Sequence, residues 1–243
     1  MPYSLKGCNV LVTGGGRGLG ALICEKFAAE GCNIAINYVS SKKVADELAK
    51  KIKIQHAVKT VVLQADVGFA VDSDRLVANI IEGLGGLDII VSNAGWTKFA
   101  PWEDLYALSE ADWDKCYAVN VKAQLHLLRA ALATFKANEN GGTFLITSSA
   151  AGTTTKGSSM AYSVSKAAGI HLTRCLAETQ GPNVRVNAVC PGLMLTEWGE
   201  KYAALKKITN MEDCADTFIW LAKNGSITGQ RLIVGKFADT LLL

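Results

Sequence analysis

The chain of 243 residues is long enough to bury a large core, and a composition of 49% hydrophobic and 19% charged residues argues against a disordered or fibrous protein. With 25 basic and 22 acidic residues the net charge is only +3, which leaves no basic face for nucleic acid. Seven scattered cysteines without a C-x-x-C pair read as buried thiols rather than a disulfide or zinc framework, and His56, His126 and His171 stand too far apart in sequence to suggest a metal site.

Asn9 to Val12 is a short apolar run that meets the cluster Gly14-Gly15-Gly16-Arg17-Gly18-Leu19-Gly20, and Leu22, Ile23 and Phe27 then recur at helical spacing. Strand, tight turn and helix in that order make half of a βαβ unit, in which glycines let the backbone approach a phosphate and the helix N-terminus binds its charge. Glycine spacing alone is weak, because such turns also occur where a strand simply meets a helix closely. The start from Met1 to Gly7 lacks the apolar core of a signal peptide and no run reaches membrane-spanning length, so the expectation is a cytoplasmic protein with no membrane partner.

Further strands are predicted at 33–38, 60–66, 87–95, 143–147, 184–189 and 231–234. Helices are predicted from about 40 onward, over 73–82 and 112–137, and from Tyr162 to Leu176. Alternation of this kind predicts a Rossmann-like, doubly wound parallel α/β sheet of about seven strands, helices on both faces, in one domain over 1–243. Ligands bind such sheets beyond the carboxyl ends of the strands, so Asp66, Asn93, Ser149 and Pro191-Gly192, which follow strand runs, are expected on one rim with the glycine turn.

Tyr162 and Lys166 stand four apart and share one helix face, so the ammonium can sit by the phenol and favour its ionised form. A tyrosine so tuned suits general acid or base work near neutral pH, and Ser149 could hydrogen-bond the same substrate oxygen. As a lone motif the pair is common on solvated helix faces.

Together these motifs resemble the single-domain short-chain dehydrogenase/reductase family over nearly the whole chain. Thr13-Gly14 with Gly18 and Gly20 matches its cofactor turn; Ser92-Asn93-Ala94-Gly95 matches its Asn-Asn-Ala-Gly segment with Ser92 as a departure. Asn120, Ser149, Tyr162 and Lys166 align with its catalytic tetrad, and Pro191-Gly192 with Met194 and Thr196 with the segment over the nicotinamide. The resemblance implies hydride transfer between a nicotinamide and a carbonyl or secondary alcohol. Tyr162 would exchange the proton, Ser149 would steady the oxygen, Lys166 would hold the ribose and depress the tyrosine pKa, and Asn120 would hold a relay water. Asp66, followed by Val67, fits the family's adenine contact or serves as a turn residue, and Asn93 and Asn120 could instead satisfy backbone groups. A homotetramer or homodimer is also implied.

No acidic residue lies between Gly31 and Ala45, whereas an NAD site places one about 20 residues beyond the glycine turn. Tyr38, Ser40, Ser41, Lys42 or Lys43, and Arg17 predict NADP(H), unless Lys42 and Lys43 are only a solvated helix start and Arg17 points to water. Trp96, Phe99, Trp102, Trp198 and Tyr202 could line a pocket for an apolar, aromatic or acyl carbonyl substrate, or serve as core or subunit contacts, with the segment 192–212 short for a lid. The competing class is a dinucleotide-binding sensor or scaffold without turnover.

Overall fold

A computed structural model of the chain describes residues 4–194 and 208–235. Its seven strands form one parallel sheet in the order β3-β2-β1-β4-β5-β6-β7, from β1 (Asn9–Val12), β2 (Asn33–Tyr38), β3 (Thr60–Gln64), β4 (Ile89–Ser92), β5 (Gly142–Thr147), β6 (Val184–Pro191) and β7 (Arg231–Val234). Side chains alternate across a pleated strand, so Val10 and Val12 of β1 face one side and Leu11 the other. The first side packs α1 (Gly18–Ala29), α2 (Lys42–His56) and α7 (Met211–Lys223); the second packs α3 (Ala70–Leu84), α5 (Ala123–Ala137) and α6 (Met160–Gln180). Both faces being covered explains why the strands read as near-continuous apolar runs.

The chain winds outward from β1 to β3 and then returns to β4 on the other side of β1. Consequently the order reverses between β1 and β4, and the crevice opens above their carboxyl ends.

The sequence reading differs from the fold in three places. The single helix predicted over 112–137 is α4 (Glu110–Tyr117), a π-turn at Ala118–Lys122, and then α5. Such a π-turn is frequently a mark of a functional site; here it carries Asn120. Helix α7 was not predicted, although Cys214, Ala215, Phe218, Ile219 and Ala222 bury one stripe and Asn210 caps it by accepting from the Glu212 amide. Strands β3 and β4 are shorter than predicted: after β3, Asp66 closes a turn by accepting from Gly68 N, and after β4, Asn93, Ala94 and Gly95 leave the ladder to line the crevice.

Candidate active site

The glycine turn is pinned from both neighbouring strands. The buried Thr13 hydroxyl accepts from the Asn93 and Ala94 amides at 2.9 Å each, and Asn93 Nδ2 donates to Thr13 O at 3.0 Å. From the other side Asn37 Oδ1 accepts from Gly14 N at 3.2 Å, while its Nδ2 donates to Ala65 O at 3.0 Å. A side chain at Gly20 would overlap the Gly14 carbonyl, so only glycine lets α1 start this close beneath the turn. Arg17 is the N-cap of α1 without a side-chain cap bond, and no acid stands in the first turn of the helix, whose positive end faces the cleft.

The cleft has a volume of about 350 Å³, within the range of small-ligand sites. Its walls include Arg17, Ser40 and Ser41 as well as Ser149, Tyr162 and Lys166. A phosphate-ready turn, hydroxyls and a cation at one groove fit a dinucleotide.

At the catalytic residues, Ser159 caps α6 by accepting from Tyr162 N at 3.3 Å, which fixes where the first turn places the phenol. Ser149 lies in hydrogen-bonding reach of that phenol and also accepts from Ala151 N at 3.1 Å. The buried Lys166 Nζ donates to Thr147 O at 2.8 Å and lies 5.6 Å from the centre of the Tyr162 ring. Against the expectation that the lysine depresses the tyrosine, burial dominates both groups. It pushes the phenol up to about 12, opposed by the Ser149 hydrogen bond, and pushes the ammonium down to about 8. Two neighbouring thiols, Cys116 and Cys190, are likewise pushed up to about 11 by burial and stay neutral.

Asn120 is fully buried and its side chain is occupied. Oδ1 accepts from Trp96 N at 2.8 Å, and Nδ2 donates to Trp96 O at 2.9 Å and Ser165 Oγ at 3.0 Å. Its carbonyl accepts from Gln124 Nε2 at 2.7 Å. The amide therefore ties the chain after β4 to α6.

The short chain dehydrogenase model matches residues 8–206. A putative ketoacyl reductase of granaticin polyketide synthase from Streptomyces violaceoruber is 33% identical, covering 95% of this chain and 96% of its own. The hydroxynaphthalene reductase arp2 of Aspergillus fumigatus is 36% identical over 81% of this chain and 70% of its own. A short chain dehydrogenase from Burkholderia cenocepacia, solved in complex with NADP, superposes with a TM-score of 0.85 at 31% identity, covering 96% and 98% of the two chains. This chain belongs to the short-chain dehydrogenase family.

In this short-chain dehydrogenase, an oxidoreductase by family, the fold gathers most of the predicted residues into one cleft. Gly14, Gly16, Arg17, Gly18, Leu19, Gly20, Tyr38, Ser40, Ser41, Asn93, Ala94, Gly95, Ser149, Tyr162, Lys166, Pro191, Gly192 and Met194 all line it. Asp66 and Val67 do not. Asp66 Oδ1 accepts from Gly68 N at 2.9 Å, which makes it a turn residue, and Val67 is buried against the α3 side of the sheet. Asn120 lies behind the wall, and Lys42 pairs with Asp46 on its own helix at 2.6 Å. Thr196, Trp198 and Tyr202 lie outside the described residues.

Sequence reasoning missed Asn37, Val39, Thr147 and Ser148, which also line the cleft. A buried asparagine inside an otherwise apolar strand, as at Asn37, was the available signal for the first. Among the described residues no group of three His, Cys, Asp or Glu is placed to hold a metal, and no helix is long and apolar enough to cross a membrane.

Proposed function

We propose that this protein is an NADP(H)-dependent reductase of ketones, taking an apolar or aromatic small molecule or an acyl substrate. The reading rests on one observation above the others: Tyr162, Ser149 and Lys166 converge on the same cleft as Arg17, Ser40 and Ser41. When bound, the nicotinamide would supply or accept the hydride. Tyr162 donates the proton to the forming alkoxide, and Ser149 hydrogen-bonds that oxygen. Donors placed on a developing oxyanion contribute about 2.7 to 4 kcal/mol each, and a positioned acid roughly 10² to 10⁴ in rate. Lys166 keeps two N–H donors beyond the one given to Thr147 O, and offers them to the ribose. An anionic cofactor beside Lys166 favours its charged form, and the charged lysine then draws the phenol down from about 12.

Cofactor choice is supported by the absence of an acidic residue between Gly31 and Ala45, the stretch that includes the end of β2. Arg17 in the turn and the Ser40 and Ser41 hydroxyls present donors where a 2′-phosphate would be read. Relatives named as ketoacyl and hydroxynaphthalene reductases, and the relative solved with NADP, support the same direction.

Three further expectations join the proposal: one domain over the chain, with 192–212 as its substrate-pocket segment; a cytoplasmic protein; and a homotetramer or homodimer through the apolar faces of α5 and α6, where Leu125 and Val164 are exposed.

The test is NADPH oxidation against a panel of aliphatic, aromatic and acyl ketones, with Tyr162→Phe beside the wild type. The variant should bind NADPH with nearly unchanged affinity and turn over at least roughly 10² more slowly. Retained turnover in that variant would refute the assignment, and NADPH binding without turnover by the wild type would favour a sensor or scaffold.

A further inference from the structure

The chain between β4 and α4 is attached to the loop that precedes Tyr162 by three separate links. Ala100 N donates to Ser158 O at 3.0 Å, the Thr97 and Ser158 hydroxyls share a hydrogen bond of 2.6 Å, and Trp102 Nε1 donates to Gly157 O at 3.1 Å. Gly157 itself has a φ of +140°, which side-chain-bearing residues rarely adopt. A side chain there would reach 3.0 Å from the Ala151 Cβ and 3.7 Å from Cδ1 of the Tyr162 ring. The Gly157 backbone therefore lies close beside the phenol ring, and a carbonyl on that same residue is what Trp102 holds.

We infer that Trp102 is a positioning residue for Tyr162: its indole N–H latches Gly157 beside the phenol ring, so that residues 97–102 and 157–158 act as one strap holding the proton donor in place. The inference rests on the reading of Tyr162 as that donor. It also assigns the Trp102 donor to the protein's own backbone rather than to a substrate. A donor displaced by about 1 Å loses on the order of 10² in rate, so a latch outside the reacting atoms is enough to matter.

The phenol is faced by Cys116 from α4, by Cys190 from β6, by the Ser149 hydroxyl and by Lys166 on its own helix. The charged side chain of the strap, Lys98, is held by Asp112 at 2.7 Å, and the Gly157 backbone covers the Cδ1 side of the ring. Opening the strap hydrates the phenol, and because burial is what raises its pKa, the ionisation moves to lower pH.

Trp102→Phe keeps an aromatic ring and removes the donor, together with the smaller ring of the indole. Three effects are expected together on the full chain. With NADPH and a ketone from the panel above, kcat falls between about tenfold and 10²-fold while the cofactor Kd and the substrate KM stay within about twofold. The alkaline limb of the kcat profile moves to lower pH. Amide exchange of the segment 157–163, measured by mass spectrometry without ligand, speeds up about fivefold to tenfold, as loss of one hydrogen bond implies. An unmoved alkaline limb or unchanged exchange in a folded Trp102→Phe protein would overturn the inference, since a general loss of stability alone leaves the limb in place. Thr97→Val, which removes the link to the Ser158 hydroxyl at nearly constant volume, should give a smaller change of the same sign and decides the question if Trp102→Phe does not fold. Retained turnover in Tyr162→Phe would instead remove the proton-donor reading while the exchange result still reports on the strap.

Discussion

Replacing Asn120 by Asp changes one NH₂ group into an oxygen and leaves shape and volume nearly constant, yet the structure makes it a severe change. Oδ1 can still accept from Trp96 N, but the second oxygen now meets the Trp96 carbonyl across the 2.9 Å formerly bridged by Nδ2–H, and it no longer donates to Ser165 Oγ. A buried carboxylate facing a carbonyl without a cation typically costs about 3 to 5 kcal/mol. In a chain of this size each kcal/mol lowers Tm by roughly 2 to 4 °C, so a fall of about 6 to 20 °C is expected at pH 7. The sign of the pH dependence follows from the same contacts. Protonating the new carboxyl restores a donor for Trp96 O, so its folded pKa is raised above the unfolded value. Stability is then recovered below the unfolded pKa and lost as pH rises through the folded one. Thermal unfolding of wild type and variant at pH 4.5 and pH 7, cofactor-free, measures this directly. A variant with wild-type Tm at both pH values but with turnover lost would refute the reasoning, because the amide would then act in the chemistry and not as the tie between Trp96 and α6.

Arg17→Ala should weaken NADPH about tenfold or more while barely changing NADH, the amount expected for one charge-assisted contact, read from kcat/KM for both cofactors. A loss shared equally by both would show that the 2′-phosphate is not read at Arg17. Lys166→Met removes a buried ammonium whose pKa has dropped from 10.5 to about 8, a difference of about 3 kcal/mol. Between these pH values the folded protein has released the proton that the unfolded chain keeps, so wild-type stability rises with pH relative to the variant. Urea denaturation at pH 7 and at pH 10.5 should show the variant losing about that much ground, and a constant difference would contradict the burial argument. Light scattering at micromolar concentration should give a dimer or tetramer, and a monomer would remove α5 and α6 as a subunit contact.

Local pattern was sufficient for much of this protein. Apolar runs of strand length, the glycine cluster between a strand and a helix, and the four-residue spacing of Tyr162 and Lys166 are properties of neighbouring residues, and they survive into the fold because each is consistent with the layers around it. The parallel sheet followed from the alternation alone, since short connections and right-handed crossovers leave few other arrangements. Tertiary structure decided what depends on partners distant in sequence. Asn120 is a tie because Trp96 and Ser165, 24 and 45 residues away, arrive at its two amide atoms. Trp102 reaches Gly157 across 55 residues. The direction in which Tyr162 titrates is reversed for the same reason: spacing along a helix says which groups are neighbours, but the loss of water around them is set by every layer packed above, and here desolvation dominates for Tyr162 and for Lys166 beside it.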